Sequence, residues 1–426
     1  MKYQTNCFRV SDVKICPHCK NPKIIKKTYK SNHLGGFTKT ESELDFRGKP
    51  IQTQTVHKRN ASGVEVITKD YFTYDNRERL VKHTQSINTS TVKNLIAQNK
   101  YDRRGQLISK KVGGTQTNAA DRWQEVRYNY NIRGWLTYIN NPMVLVAGEN
   151  TVPPAPNDDL FAFNIRYTDP TNDGESLYNG NISQTIWKTA SDNTQRGYNY
   201  TYDRLNRLRR ADFYKQGAGN LTAYGEFISY DINGNITHLT RTTGDANDND
   251  IDMDDLTYTY QNGNGLSNLL VNVADAVTTG SNEGFKDGNT DPNLDDYEYD
   301  ANGNMIKDRN KGISNITYNH LNLPTQIEFE GTNNKITYLY NSVGQKLKKT
   351  VVYSDSIKIV DYLDGFQTEA RGSRIPVGAL ATQLGNNEQY AGVILQFFPH
   401  AEGYVKVTPI DRLNTNYAFN YVYPVK

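Results

Sequence analysis

The sequence has few aliphatic side chains. Leu, Ile, Val and Phe together account for 93 of 426 residues, or 22%, which is close to the ~20% below which chains are usually disordered. A disordered chain should also have few aromatic residues and a large net charge, but here aromatics make up 11% and the net charge is +3. Tyr alone supplies 30 residues. The composition therefore indicates a folded β-protein whose buried surface is largely tyrosine.

Long apolar runs are also absent. A membrane-spanning helix needs ~18–20 apolar residues, whereas the longest runs here are Met143–Ala147 and Ala391–Leu395. No apolar segment follows Met1, so no secretory signal peptide is predicted. The small net charge argues against a nucleic-acid partner. We therefore expect no membrane span and no nucleic-acid binding, and the chain reads as either cytoplasmic or a fragment of a longer exported protein.

Cysteine is scarce and confined to the start of the chain. The three cysteines are Cys7, Cys16 and Cys19. The rest of the chain therefore cannot be held together by a disulfide framework. With His33 they would supply the four ligands of a Cys₃His zinc site. Zinc motifs usually bring their ligands in two pairs and only one pair is visible, while the helix that a redox pair needs is not predicted. We expect a non-repeat leader without a metal, and these four residues are the candidate ligands to test.

The sequence does contain a repeat, Tyr-Asp/Asn-x-x-Gly/Asn-x-apolar, whose successive starts often lie 27–30 residues apart. The clearest copies are Tyr101-Asp102 with Gly105, Tyr130 with Gly134, Tyr202-Asp203, Tyr230-Asp231 with Gly234, and Tyr299-Asp300 with Gly303. Weaker copies begin at Leu44, Tyr74 and Tyr340. We predict that the residues of the clear copies are structural turn residues.

The chemistry of the repeat explains its spacing. Asp or Asn favours the first position of a type I turn, and Gly or Asn tolerates the positive φ that follows, which together make a three-residue hairpin loop with a bulge. In this hairpin Tyr lies opposite the apolar residue six positions later, whereas a two-residue loop would place that residue on the other face. The flanks alternate apolar and polar residues as strands do. The pattern predicts nested antiparallel hairpins with one tyrosine-rich face, whose hydroxyls can reach water or a backbone partner.

Several longer phrases resemble the RHS/YD-repeat family, which includes cocoon-forming subunits of insecticidal toxin complexes, polymorphic toxins and the teneurin shells. The sequences of these phrases are similar to those of the repeats in long exported proteins of Bacteroidota. The resemblance covers roughly residues 31 to 426. The phrases are Tyr128–Asn141, Leu177–Thr185, Tyr200–Leu208, Ser229–Ile236, and Tyr362–Gln367 with Phe397–Val405.

The resemblance implies an all-β fold, in which a long antiparallel sheet of YD-repeat hairpins spirals into an open shell, or partial β-cocoon. It implies three parts: a non-repeat basic leader at 1–30, the repeat shell at 31–360, and a segment at 361–426 that precedes the family's core motif. That motif has no match before Lys426. We therefore expect a fragment of a longer chain.

The resemblance also implies a structural function. Toxin members enclose a C-terminal effector, so the expected partners are the rest of the chain's own shell or an enclosed effector, outside the cell or at its surface. The family's self-cleavage residues have no match here, so we expect no enzyme activity, no catalytic residue and no cofactor. The alternative is a cell-surface adhesin that stacks glycans on its tyrosine face, which would make it a carbohydrate-binding protein.

An acidic stretch, 245–255, interrupts the repeat. It contains six Asp, which could attract calcium, but Asp250 stands where an EF-hand needs Gly and Leu256 where it needs Glu. We therefore expect a mobile acidic loop at this point.

Overall fold

The computed structural model describes residues 23–114, 124–140, 159–171, 174–278, 283–289, 291, 293–373, 393–410 and 416–423. Strands make up 59% of the described residues, and the described ranges include a single-turn 3-10 helix at Arg309–Lys311. Nothing in these ranges is a helix long and apolar enough to cross a membrane. The predicted all-β fold is confirmed.

Twenty-eight strands are described. The first fourteen are β1 Lys23–Lys30, β2 Phe37–Leu44, β3 Pro50–Lys58, β4 Glu65–Tyr74, β5 Leu80–Ile87, β6 Asn94–Tyr101, β7 Leu107–Val112, β8 Gln124–Tyr130, β9 Leu136–Ile139, β10 Phe161–Arg166, β11 Gln184–Thr189, β12 Gln195–Tyr202, β13 Leu208–Lys215 and β14 Gly219–Tyr230. The others are β15 Ile236–Gly244, β16 Asp250–Tyr260, β17 Leu270–Asp275, β18 Tyr297–Tyr299, β19 Met305–Asp308, β20 Ile313–Tyr318, β21 Pro324–Phe329, β22 Lys335–Tyr340, β23 Lys346–Val352, β24 Ser356–Leu363, β25 Phe366–Ser373, β26 Ile394–His400, β27 Gly403–Pro409 and β28 Tyr417–Val422.

The chain forms two compact units. Unit 1 comprises Met1–Glu125, Tyr318–Gln326 and Gly331–Lys426, and unit 2 comprises Val126–Thr317 and Ile327–Glu330. In unit 1, β1 to β7 form one consecutive antiparallel series and β22 to β28 form another. In unit 2, β8 to β17 pair consecutively. Most pairings are therefore between strands that are neighbours in sequence.

The hairpins have the six-residue register that the repeat spacing predicts. Tyr202 lies opposite Leu208, and the register of the two paired strands shifts by one residue immediately before Tyr202. The other pairs are Tyr74 with Leu80, Tyr101 with Leu107, Tyr130 with Leu136, Tyr230 with Ile236, and Tyr299 with Met305. The bulge follows from the positive φ in the turn, which is +91° at Gly234 and +62° at Asn206.

The core of unit 2 is a row of apolar side chains that crosses the strands. Ile228 on β14 pairs with Leu239 on β15, which in turn pairs with Leu256 on β16. Val273 and Tyr297 extend the same buried cluster to β17 and β18. Each strand contributes one residue to the row because equivalent positions of successive hairpins have their side chains on the same face.

Unit 1 has a second layer in addition to its repeat sheet. Side chains of β25 to β28 pack on Val66 of β4 and Ile87 of β5. The buried residues that cover this pair are Phe366, Leu395, Phe398, Val405 and Val407. The last described strand, β28, pairs with β27. In addition, the Tyr421 hydroxyl donates to Gln85 Oε1 at 3.0 Å.

The expectation of a mobile loop at 245–255 is wrong. Residues 243–255 form the β15–β16 hairpin, whose turn is closed by a hydrogen bond from Asp245 N–H to the Asn249 carbonyl. Asp248 adopts φ +62° at the position where many of the repeats have Gly. Further along, Asp254 is buried and accepts hydrogen bonds from Arg241 at 2.5–2.7 Å. The stretch therefore forms a repeat turn, although Gly244 stands at the position that Tyr occupies in the clear copies.

Part of the basic leader is a strand. Lys23–Lys30 pairs with β2 over eight residues, so this part of the lysine-rich leader belongs to the sheet. Residues 1–22 lie outside the described ranges. The division of the chain into three parts at residues 30 and 360 stays a prediction. The two compact units are defined by how the strands pack, and their boundaries do not correspond to the boundaries of the repeat region.

Substituting the turn glycine should destabilise unit 2. Gly234→Ala forces an L-residue into φ +91°, and we expect the free energy of unfolding to fall by about 1–2 kcal/mol. Gly234→Asn should cost less, because Asn206 occupies the same position with positive φ. Urea denaturation followed by circular dichroism measures both variants. Equal losses would show that backbone strain is not the cause.

Candidate functional site

Tyrosine hydroxyls tie several hairpins to the preceding one. Tyr230 donates to the Leu208 carbonyl at 2.7 Å, and Tyr260 donates to the Ile236 carbonyl at 2.9 Å. The accepting residue is the one that lies opposite the preceding repeat tyrosine. The same bond joins Tyr74 to Pro50, Tyr101 to Leu80 and Tyr299 to Leu270. We call this series the tyrosine ladder.

The ladder explains why the repeat uses Tyr and not Phe. The ring covers the apolar face while the hydroxyl satisfies a carbonyl that packing would otherwise hide from water. Burial raises the pKa of Tyr230, Tyr260 and Tyr299 above the ordinary value. These hydroxyls therefore stay protonated near neutral pH and can act as donors.

The repeat Asp organises its own turn. Asp203 Oδ1 accepts the N–H groups of Leu205 at 2.8 Å and Arg207 at 2.9 Å. The backbone N–H of Arg207, together with its guanidinium, holds the pKa of Asp203 below the ordinary value. The same pair of acceptances occurs at Asp45, Asp75, Asp102, Asn131, Asp231, Asp245, Asp300, Asn319 and Asn341. Asp and Asn are interchangeable here because each has a side-chain oxygen at the required distance.

The residue after the turn position with positive φ links neighbouring turns. Arg207 Nε donates to Asp203 Oδ2 at 2.6 Å, and its Nη1 donates to the Asp231 carbonyl of the next turn at 2.9 Å. Its guanidinium also lies 4.6 Å from the ring centroid of Tyr230. In unit 1, Arg79 makes the same three contacts. Its partners are Asp75, Asp102 and Tyr101.

A polar pocket of about 460 Å³ lies on unit 2. Asn199, Arg210, Asp212, Phe227 and Thr240 contribute to its lining. Arg210 Nε donates to Asp212 Oδ1 at 2.7 Å, and Phe227 is 36% exposed. The lining thus combines amide, hydroxyl and charged groups with one accessible ring.

The structure assigns positions to most residues that the sequence singled out. The clear repeat residues, at Tyr101, Asp102, Gly105, Tyr130, Gly134, Tyr202, Asp203, Tyr230, Asp231, Gly234, Tyr299, Asp300 and Gly303, lie at strand ends and in turns. Cys7, Cys16 and Cys19 lie outside the described residues. The fourth candidate metal ligand, His33, has its Nε2 4.0 Å from Asp361 Oδ1.

Sequence reasoning missed two parts of this arrangement. Tyr260 belongs to the tyrosine ladder, but the repeat pattern does not identify it. Its turn is longer, so that Tyr260 pairs with Leu270 and not with the residue six positions later. The alternation of Leu256, Tyr258 and Tyr260 was the available signal. The sequence pattern also did not identify the linking role of Arg207. The feature that could have indicated it is a polar side chain directly after the turn.

The fold is similar to that of solved toxin structures. The crystal structure of TcdB2-TccC3 matches with a TM-score of 0.50 and 15% sequence identity, over 95% of this chain and 21% of that chain. TcdB2-TccC3 without its hypervariable C-terminal region matches with a TM-score of 0.49 and 14% identity, over 95% and 20%. This chain therefore spans about a fifth of the length of those chains. TcdB2-TccC3 is a Tc toxin with RHS repeats, so the first likeness shows an RHS/YD-repeat-like fold.

No protein-family model and no curated protein matches the sequence.

Removing one ladder hydroxyl should destabilise unit 2 measurably. Tyr230→Phe leaves the Leu208 carbonyl without its donor, and we expect a loss of about 1 kcal/mol in the free energy of unfolding. Tyr178→Phe is the matched control, because Tyr178 is 70% exposed. Urea denaturation would compare the two variants. Equal stability of both variants would contradict the ladder.

Removing a turn acceptor should have a comparable effect. Asn131 Oδ1 accepts the N–H groups of Arg133 at 2.9 Å and Trp135 at 3.0 Å, so we expect Asn131→Ala to cost about 1–2 kcal/mol. Asn131→Asp keeps the acceptor and should remain close to the wild type. Thermal unfolding followed by circular dichroism distinguishes the two, and a loss in Asn131→Asp as large as that in Asn131→Ala would argue against the turn role.

Proposed function

We propose that this chain is a structural segment of an exported RHS/YD-repeat protein, whose shell encloses a toxin effector. The observation that carries the proposal is the likeness to TcdB2-TccC3 over 95% of the chain. Its function in this proposal is enclosure, without catalysis. Its partners are the rest of the same shell and the enclosed polypeptide, and its location is outside the cell or at the cell surface.

The tyrosine ladder supports a scaffolding role. It joins successive hairpins through a side-chain hydrogen bond in addition to the backbone pairing of the strands, as at Tyr230, Tyr260 and Tyr299. The strands from β14 to β18 also contribute side chains to the buried row of unit 2. A sheet assembled in this way gains stability with each added repeat, which suits a wall built from many similar hairpins.

A second candidate, glycan binding, is favoured by the polar pocket on unit 2. Hydroxyl, amide and carboxylate groups beside an accessible ring form the combination that binds sugars, since the ring stacks and the polar groups donate and accept. Asn199, Asp212 and Phe227 would make these contacts. This candidate requires only the surface of unit 2, whereas enclosure requires the whole shell.

The experiment that tests enclosure is protease protection. The longest reading frame that contains this chain would be expressed, treated with protease under native conditions and analysed by mass spectrometry. We expect the enclosed polypeptide to resist digestion until denaturant opens the shell. The same polypeptide expressed alone is the control. Equal digestion rates in the two preparations would contradict enclosure.

The experiment that tests the alternative is a glycan array with the wild-type chain. We expect any binding at the pocket to be lost in Asp212→Ala and kept in Arg204→Ala, since Arg204 is exposed on a turn and does not line the pocket. Binding that survives Asp212→Ala, or that is absent from the wild type, would argue against a sugar site here.

A further inference from the structure

Two histidines lie where the second layer of unit 1 meets its repeat sheet. His57 of β3 is 2% exposed, and its ring stacks on Phe366 of β25 at 3.8 Å with an interplanar angle of 3°. His400 of β26 lies 5.7 Å from the ring of Tyr421 and 4.9 Å from that of Tyr423. Those two tyrosines donate to the repeat sheet at Gln85 Oε1 and the Leu95 carbonyl. Both histidines are therefore part of the contact between layers.

The surroundings of His57 accommodate a neutral ring. Its Nδ1 lies 2.9 Å from Thr38 Oγ1 on β2, and Val66 lies opposite it on β4. Phe366, which covers the ring from β25, is itself 6% exposed. Lys58, the next residue of β3, lies opposite Glu65 of β4, and the guanidinium of Arg59 is paired with Asp361 at 2.6 Å. A proton on His57 would thus bring a positive charge into an apolar stack.

The surroundings of His400 are polar but still favour the neutral ring. Its Nδ1 accepts the backbone N–H of Glu402 at 3.2 Å. A protonated imidazole has a hydrogen on both nitrogens, so protonation would set two donors against each other and break this bond.

Charged groups face His400 from several strands. Asp70 of β4 and Glu402 in the β26–β27 turn favour the proton, whereas His83 of β5 opposes it. Lys110 of β7 neutralises Glu402 through contacts at 2.8 and 2.9 Å.

We propose that the packing of β25 to β28 on β3 to β6 is an acid-labile latch, which is closed while His57 and His400 are neutral and opens when they take up protons. The latch does not depend on the shell role, since every contact it uses lies within unit 1.

The direction of the pH dependence follows from burial. Burial lowers the pKa of His57 to about 3 and that of His400 to about 4, whereas an exposed imidazole in the open state has a pKa of about 6.5. The open state therefore binds protons more readily. The stability of the closed state is fully present above about pH 6.5 and falls as the pH drops towards the lowered values. Between pH 7 and pH 5, each histidine should raise the opening constant roughly 20-fold.

Hydrogen exchange with mass spectrometry tests the latch on the whole chain. Wild type and variants are compared at the same pH, so that the intrinsic exchange rate cancels. From pH 7 to pH 5, we expect the opening constant of the β25–β28 amides to rise roughly 500-fold in the wild type and roughly 20-fold in His57→Gln or His400→Gln. The double variant should show little change. His320→Gln is the control, because His320 is exposed on a turn of unit 1.

Two results would overturn the proposal. One is a wild-type pH response in the double variant. The other is an equal loss of protection in unit 2, which would indicate general acid unfolding. If the variants fail to fold, NMR titration of the wild-type imidazole rings provides the test. Rings that stay neutral at pH 5 in the folded chain would support the latch, and rings that titrate near pH 6.5 would refute it.

Discussion

The hydrogen bond from a repeat tyrosine to the carbonyl of the preceding hairpin is the interaction on which the sheet depends. It requires a ring large enough to cover the apolar face and a hydroxyl at its far end, and only tyrosine supplies both. Tyr230 reaches Leu208, and Tyr260 reaches Ile236. The low aliphatic content follows from this, because the ring replaces aliphatic bulk and the hydroxyl removes the cost of a buried carbonyl.

The two units use this sheet in different ways. Unit 2 buries one row of apolar side chains across successive strands, from Ile228 to Tyr297. Unit 1 covers its repeat sheet with a second layer and buries polar groups at the contact, among them His57. Buried polar groups hold two layers in one arrangement only while their hydrogen bonds are satisfied. The contact in unit 1 therefore responds to protonation, whereas an apolar contact would not.

Much of the fold could be predicted from the repeat because its determinants are local. The six-residue register follows from an Asp that accepts two backbone N–H groups and from a residue that tolerates positive φ, all within one turn. The prediction failed at 243–255 because two residues of this local pattern are replaced there. Gly244 replaces the tyrosine and Asp248 replaces the glycine, so the pattern is hidden although the turn forms. Tyr260 was missed because its turn is longer than the repeat allows.

The sequence by itself determined the turns, the register and the tyrosine face, since each depends on residues a few positions apart. The linking of turns by Arg207, the polar pocket and the second layer of unit 1 were decided only by the tertiary structure. His57 and Phe366 stack although 309 residues separate them along the chain. No periodic pattern identifies such a pair, because its partners meet only after two separate series of hairpins have packed together.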